Sequence, residues 1–421
     1  MILSLFLILL AVFGAPLFTV IAASAMLGYQ REGIDLMAIA IEVLGIAQMP
    51  MLSAIPLFTF AGYLLSHSQA PQRLVRVTSA MLGWMPGGLA LVALAACAFF
   101  TAFTGASGVT IIALGAILYP ALKQDGYPDN FNLGLVTTSG SLGLLFAPSL
   151  PLILYGVVAE ISIDDLFKAG VLPGLLMLVL LGGYSLWVNR HNRQPLNEFS
   201  SKEVISALWE AKWEIPLPIF VLGGIYSGYF AVSEAAAVTA LYVLVVEVFI
   251  LREIRVRDLP EVMRESMLLV GGILIILGVS LASTNYMIDA GVPQKLLEYI
   301  TEFVSSQASF LFLLFIFLLI LGAILDIFSA IVLVVPLILP IAAQYNVDPF
   351  HLGIVFLAAM QLGYLTPPVG LNLFIASYRF DKPIMNVYAA TFPFLLILMV
   401  CVLIIMYWAD LSLWLLPDQR L

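Results

Sequence analysis

Four short stretches set small, hydroxyl-bearing residues inside apolar runs. They are Thr104-Gly105-Ala106-Ser107-Gly108, Thr137-Thr138-Ser139-Gly140-Ser141, Leu325-Asp326-Ile327-Phe328-Ser329 and Gly363-Tyr364-Leu365-Thr366-Pro367-Pro368-Val369-Gly370. A hard cation needs several oxygen ligands, and unwound backbone carbonyls with Ser and Thr hydroxyls supply them without fixed charge. Glycine lets the backbone turn a carbonyl toward an ion without a Cβ clash. Two clusters fit by residue type. Thr104, Gly105, Ser107 and Gly108 would face the break at Thr138-Ser139-Gly140-Ser141, and Leu325, Asp326 and Ser329 would face Gly363, Thr366 and Gly370. The plainer alternative is that small residues here only allow close helix packing. Asp326 is the one acid inside its apolar hairpin, and a carboxylate at membrane depth costs at least ~2.5–3.5 kcal/mol. It reads either as a functional group or as a helix cap at the hairpin tip.

Catalytic patterns are missing. There is no His-Glu-x-x-His, and there are no lines of buried Lys and Glu for proton transfer. His67, His191 and His351 are expected in loops, as are Lys123, Lys168, Arg379 and Lys382. Cys97 and Cys401 lie in apolar runs without metal-ligand spacing. An intramembrane enzyme or a respiratory membrane subunit is therefore disfavoured, and no organic cofactor or nucleic-acid partner is expected.

The elements that must position these residues are interrupted helices. A Pro pair inside an apolar helix removes two N–H donors, so the helix unwinds there. Irregular backbone at membrane depth persists only where it is buried in protein or lines a polar cavity, and such breaks point to a transporter's binding site. The chain has 421 residues, 62% hydrophobic and 10% charged, with a mean hydropathy of +1.08. A soluble domain is roughly a quarter charged, so this is a polytopic membrane protein with room for about a dozen crossings. It opens directly into an apolar run, Leu3 to Leu27, without a basic leader. Arg31 to Gln48 reads as a segment at the interface or in protein contact, and Arg73 and Arg76 as part of a loop. The net charge of −9 sits in a few short segments. The two basic segments, 189–213 with Arg190, Arg193, Lys202 and Lys212 and 252–264 with four arginines, should face the cytoplasm with a helix pair between them. Glu234 in that pair reads as a cap or packing contact at a helix turn rather than as a substrate group.

The two halves repeat. Pro71-Gln72-Arg73-Leu74-Val75 matches Pro293-Gln294-Lys295-Leu296-Leu297, and Asn132-Leu133-Gly134-Leu135-Val136 matches His351-Leu352-Gly353-Ile354-Val355, after which Pro148 falls on Pro367. Matched breaks in two halves are the mark of a repeat-built secondary transporter. The first repeat spans 1–188, with a hairpin near 99–122 and a broken helix at 133–158. A polar linker follows at 189–213. The second repeat spans 214–421, with a hairpin near 310–343 and a broken helix at 352–377. Transporter architecture suggests that the repeats are inverted.

The run Gly363-Tyr364-Leu365-Thr366-Pro367-Pro368-Val369-Gly370-Leu371-Asn372-Leu373-Phe374 resembles the signature of the large membrane subunit, DctM-like, of tripartite ATP-independent periplasmic (TRAP) transporters. So do Ile225-Tyr226-Ser227-Gly228 through Ser233-Glu234-Ala235-Ala236-Ala237, the Leu325-Asp326 break, and Gly140-Ser141-Leu142-Gly143 through Pro148-Ser149-Leu150-Pro151-Leu152-Ile153-Leu154-Tyr155-Gly156. The resemblance covers nearly the whole chain in order. One departure is the first hairpin, Thr104 to Gly108, where many members carry a Ser-rich, Asp- or Ala-containing version. The resemblance implies an all-α polytopic fold of the ion-transporter type, with two inverted repeats built from helical hairpins and discontinuous helices. It would form a scaffold and a transport domain moving as an elevator.

It further implies sodium coupling at two or more sites, small organic acids as substrates, a four-helix small membrane subunit, and an extracytoplasmic substrate-binding protein. The place would be a bacterial or archaeal cytoplasmic membrane. No small subunit is expected to be fused here. The presumed core carries no Lys or Arg, so a carboxylate would be held by half-helix N-termini, bound cations and the groups at Ser139, Ser141, Pro148, Ser149, Thr366, Pro367 and Asn372. A stand-alone organic-anion symporter or antiporter of the same fold is the rival within the class.

Overall fold

The computed structural model describes residues 7, 9–10, 13–46, 48–85, 87–190 and 199–416, and every regular element among them is helical. That outcome follows from the solvent. With no water to satisfy N–H and C=O groups, an apolar run must close its own hydrogen bonds as a helix.

The first half begins with α1 (Leu17–Glu32), ended by Gly33 in the left-handed region, and α2 (Met37–Ile46). The segment expected at the interface is thus largely helical, and α2 leaves Met37, Ile41 and Leu44 exposed. Next come α3 (Ala54–His67) and α4 (Ala70–Leu82). Arg73 and Arg76 lie on α4 rather than in a loop: Pro71 starts the helix, and Leu74 and Val77 are buried at helical spacing.

A hairpin follows, with α5 (Gly88–Thr104) going in and α6 (Ser107–Ala113) with α7 (Gly115–Gln124) coming out. Then α8 (Asp129–Ser139) breaks, passes through a 3₁₀ turn at Leu142–Leu145, and resumes as α9 (Leu150–Val158). The long α10 (Ile163–Val188) closes the half, its N-terminus capped by Ser162.

The connecting region is not simply a polar linker. It contains α11 (Ser201–Glu210), whose Glu203 and Glu210 pair with Arg76. Residues 191–198, including His191, lie outside the described residues. The expected helix pair is α12 (Pro216–Tyr226) and α13 (Val232–Leu244), the latter running into a π-helical turn at Val245–Ile250. Glu234 accepts the Ala231 N–H at 3.0 Å, so it is a cap.

The second half has α14 (Leu259–Asp289), the amphipathic α15 (Val292–Thr301), and a hairpin of α16 (Gln307–Gly322) and α17 (Ile327–Gln344). The broken helix is α18 (Pro349–Gly363) and α19 (Leu371–Phe380), followed by α20 (Ile384–Tyr407) and α21 (Asp410–Leu413). Both halves therefore run in one order: hairpin, broken helix, long helix. Each break contains a cis X-Pro bond, Ala147–Pro148 in one and Pro367–Pro368 in the other.

Only five described helices are long and apolar enough to cross a membrane, or eight if each bent pair is one span. The count falls below a dozen because several apolar runs fold back as hairpin arms or stop at a break. Five further charged or titratable residues expected in loops sit on helices instead, His67 among them as the last residue of α3. Lys123 ends α7, Lys168 lies in α10 and Arg379 in α19. His351, in the first turn of α18, is 2% exposed and contacts the Met406 carbonyl and the Ser412 hydroxyl. Both cysteines are buried. In packing, α14 lies against α1, α2 and α3, while α8 lies against α20 and α16 against α18.

Candidate functional site

The first hairpin ends because Gly105 takes φ +64°, where an L side chain is strained, and Ala106 is extended before α6 starts. A Cβ at Gly105 would also collide with Leu150 at 2.3 Å, so the tip is pressed onto the first break. Thr101 continues this contact: its hydroxyl bonds Thr110 across the hairpin (2.7 Å) and the Gly140 carbonyl in the break (2.9 Å). At Gly143 an added Cβ would lie 2.3 Å from the Ala98 carbonyl, so glycine lets the 3₁₀ turn reach the α5 backbone.

The same tip reaches the other half of the chain. Ser107 donates to Asn372 Oδ1 at 2.7 Å, both residues being buried, and Gly108 packs where a Cβ would meet Ile375. The first expected cluster is therefore assembled, with the second repeat's α19 joining it. Thr104 Oγ1, Thr138 Oγ1 and Asn372 Nδ2 are buried and have no protein partner. Leaving such groups unsatisfied costs about 1–3 kcal/mol each. The two threonine oxygens are unspent acceptors and the Asn372 amide is an unspent donor.

The second cluster is assembled differently. Asp326 caps α17, accepting the Ser329 N–H at 3.0 Å and its hydroxyl at 2.6 Å. Both carboxylate oxygens are engaged, so the capping role is the one the geometry supports. The Tyr364 hydroxyl accepts the Ile327 N–H at 2.7 Å, and Gly370 N–H donates to the Ala323 carbonyl at 3.1 Å. Gly363 and Gly322 let the two backbones touch, since a Cβ on Gly363 would lie 2.6 Å from Gly322. Leu325 and Ser329 thus sit beside the second break, as the residue types suggested.

At Gly370, with φ +56°, the place of a Cβ lies 2.9 Å from the Thr366 carbonyl oxygen and 3.0 Å from that of Tyr364. Two backbone oxygens converge there, and the Leu373 Cδ1 methyl stands closer still, at 2.6 Å from the same point. The donor set is neutral oxygen, which suits a hard monovalent cation. The carbonyls of Tyr364 and Thr366 are the groups here that would hold such an ion, with Leu373 turning aside. Thr366 Oγ1 itself donates to the Leu362 carbonyl.

The residues suggested for substrate divide into two groups. Ser139, Ser141 and Ser149 are fully buried and donate to the carbonyls of Val136, Thr138 and Leu144, and Pro148 is buried with them. In this conformation they offer nothing outward. Thr366 is half-buried, whereas Pro367, Pro368 and Val369 are exposed. The open face of the site is therefore the second break, with Asn372 just beneath it. The residues not anticipated are Tyr364, Thr101, Gly143 and Gly322. Tyr364 lies in the run that attracted attention, but only the three-dimensional approach of the hairpin gives its hydroxyl a partner.

Residues 2–411 match the family model for the tripartite ATP-independent periplasmic transporter, DctM component. The chain is 35% identical over 377 residues to the C4-dicarboxylate TRAP transporter large permease protein DctM of Pseudomonas aeruginosa, covering 89% of this chain and 88% of that one. It is 31% identical to the ectoine/5-hydroxyectoine TRAP transporter large permease protein UehC of Ruegeria pomeroyi, covering 97% and 96%. It is also 32% identical to the isethionate TRAP transporter permease protein DctMQ of Oleidesulfovibrio alaskensis, of which it spans 61% while 93% of this chain is covered. Among solved structures, the Alcanivorax borkumensis YdaH transporter superposes with a TM-score of 0.65 at 13% identity, covering 90% of this chain and 89% of that one. That likeness is one of fold.

Proposed function

The chain belongs to the DctM component family of tripartite ATP-independent periplasmic transporters and is a large permease; on that premise we propose that it imports small organic acids by sodium symport. The acids are C4-dicarboxylates or related carboxylates, delivered by an extracytoplasmic binding protein. A small four-helix membrane subunit completes the assembly in a bacterial cytoplasmic membrane. The permease relatives are named for C4-dicarboxylates, ectoine and isethionate, small solutes that each carry a carboxylate or sulfonate group, and this supports a small solute with an anionic group.

The observation that carries the reading is the Ser107–Asn372 contact under the exposed second break. Ser107 fixes the Asn372 amide by its oxygen, which leaves Nδ2 free to donate. The N-terminus of α19 begins at Leu371, and its first N–H groups favour an anion. Sodium held by the Thr366 and Tyr364 carbonyls adds positive charge beside that terminus. A carboxylate is thereby bound without Lys or Arg. Because each hairpin tip is bound to a break, hairpins and broken helices move as one unit against α1–α4 and α12–α15, which is the elevator motion.

The test is uptake of radiolabelled organic acid into proteoliposomes holding the chain with its small subunit. It is run with and without a sodium gradient, and with and without the binding protein. Uptake is expected only when both are present. Uptake on sodium alone would make the chain a stand-alone symporter, and proton-driven uptake would overturn the sodium assignment at Thr366 and Gly370.

A further inference from the structure

Far from the hairpins, Arg73 is buried at 7% exposure among three carboxyl groups. It donates through Nε to Glu214 at 2.6 Å, pairs with Glu253, and its Nη2 lies 3.7 Å from Glu247. Glu214 and Glu247 are 4% and 1% exposed. Four elements meet here: α4, the segment before α12, the π-helical turn after α13, and the loop behind it. The turn closes with the Leu251 N–H donating to the Val246 carbonyl five residues back, and the Glu253 and Ile254 N–H groups then both donate to the Glu247 carbonyl. π-helical turns are rare and concentrate at functional positions.

The charges do not balance. One guanidinium faces three carboxyl groups, and among the described residues no second cation pairs with them. The other titratable groups nearby are accounted for. Tyr242, on α13, donates its hydroxyl to the Trp213 carbonyl, and His67, on α3, pairs with Glu265. The α5 face contributes no charge. Burial alone would raise the Glu253 carboxyl, but the Arg73 guanidinium and the Gln69 N–H outweigh it and hold Glu253 below the ordinary carboxylate range. Glu253 is therefore the ionised partner. Glu247 is the most buried of the three carboxyl groups and stands 3.7 Å from the guanidinium, beyond a hydrogen bond, so it is the one whose negative charge is least compensated.

Two atoms of the cluster are unspent: Glu214 Oε2 and Glu247 Oε2 are buried and accept no bond. Both residues line a cavity of about 20 Å³, walled otherwise by apolar groups such as Leu74, Phe99, Phe103 and Val246. That volume holds about one water molecule. Too few oxygens converge there for a metal ion, and no cluster of metal-binding side chains occurs among the described residues. The repeat itself does not demand such a centre. The matching position in the second half is Lys295, which is exposed and bonds only the Ala290 carbonyl.

We propose that the Arg73–Glu214–Glu247–Glu253 cluster is a proton-binding site, with the proton on Glu247, and that its occupancy fixes α4 to the α12–α13 pair. Losing the proton leaves two uncompensated negative charges in a low-dielectric pocket, which is costly. The folded state then binds a proton that the unfolded chain releases, so the Glu247 contribution to stability is full at low pH and is lost as the pH rises past the ordinary carboxylate range, whereas Glu253, held below that range, contributes in the opposite sense at lower pH.

The experiment is the Tm of the purified chain in detergent against pH, for the wild type and for Glu247→Gln, which mimics the protonated form. The wild-type Tm should fall with rising pH, and Glu247→Gln should remove most of that fall. Equal falls in both proteins, or none in the wild type, would overturn the proposal. Should Glu247→Gln fail to fold, infrared spectroscopy on the wild type reads the carboxylic C=O band directly. That band should be present at neutral pH, disappear on alkalinisation, and shift in Glu253→Gln. A missing band, or one unmoved by Glu253→Gln, overturns the assignment.

Discussion

Asn372 spends only half of its amide on the fold, and the proposed transport role rests on the other half. Its oxygen is held by Ser107, and its nitrogen has no protein partner. Asn372→Ala should lower uptake by the loss of one donor to the anion, about tenfold for the ~1.5 kcal/mol of a hydrogen bond to a charged group, with membrane insertion unchanged; unchanged uptake would refute the role. Gly370→Ala acts on the cation instead. Its φ of +56° and the carbonyls of Thr366 and Tyr364 leave no room for a methyl group. A loss of about 1–3 kcal/mol is expected from the backbone conformation alone, together with loss of stabilisation by sodium in a thermal-shift series. Gly370, Thr366, Ser107 and Asn372 were all legible in the sequence as polar or small residues interrupting apolar runs. The division of labour among them was not. Serine type does not tell whether a hydroxyl turns outward or, as Ser149 does, back to a carbonyl five residues earlier.

Among the elements, the hairpins and breaks were readable because proline and glycine mark where a helix cannot continue. The helical arm at Arg73 was not, since a short amphipathic helix between two charged positions looks like a loop when membrane spans set the scale. The contacts between elements depend on glycines that sequence alone cannot sort from one another. Gly363→Ala should cost about 1–3 kcal/mol by overpacking against Gly322. Gly183→Ala, on the long α10 with nothing within reach of a new Cβ, should gain roughly 0.5–1 kcal/mol from helix propensity. Paired Tm measurements of the two variants check both signs. Tyr364→Phe leaves the Ile327 N–H without its acceptor. It should cost about 1–3 kcal/mol, with faster amide exchange confined to the second hairpin tip.

For the whole molecule, the two repeats agree in order but not in state. The first break is sealed, while Pro367, Pro368 and Val369 of the second are open. The arms differ as well: α4 is pinned by buried charge, and α15 carries its lysine in the open. Sequence periodicity revealed the repeat but could not show this inequality, because matching residues such as Arg73 and Lys295 meet different surroundings. The burial of both native thiols has a practical consequence. The chain holds only Cys97 and Cys401, and neither is reachable by a water-soluble maleimide. A single Tyr378→Cys change, at a position 94% exposed on α19, would give a fluorescent reporter on an otherwise silent background. Its labelling rate with and without sodium would time the movement of α19 directly.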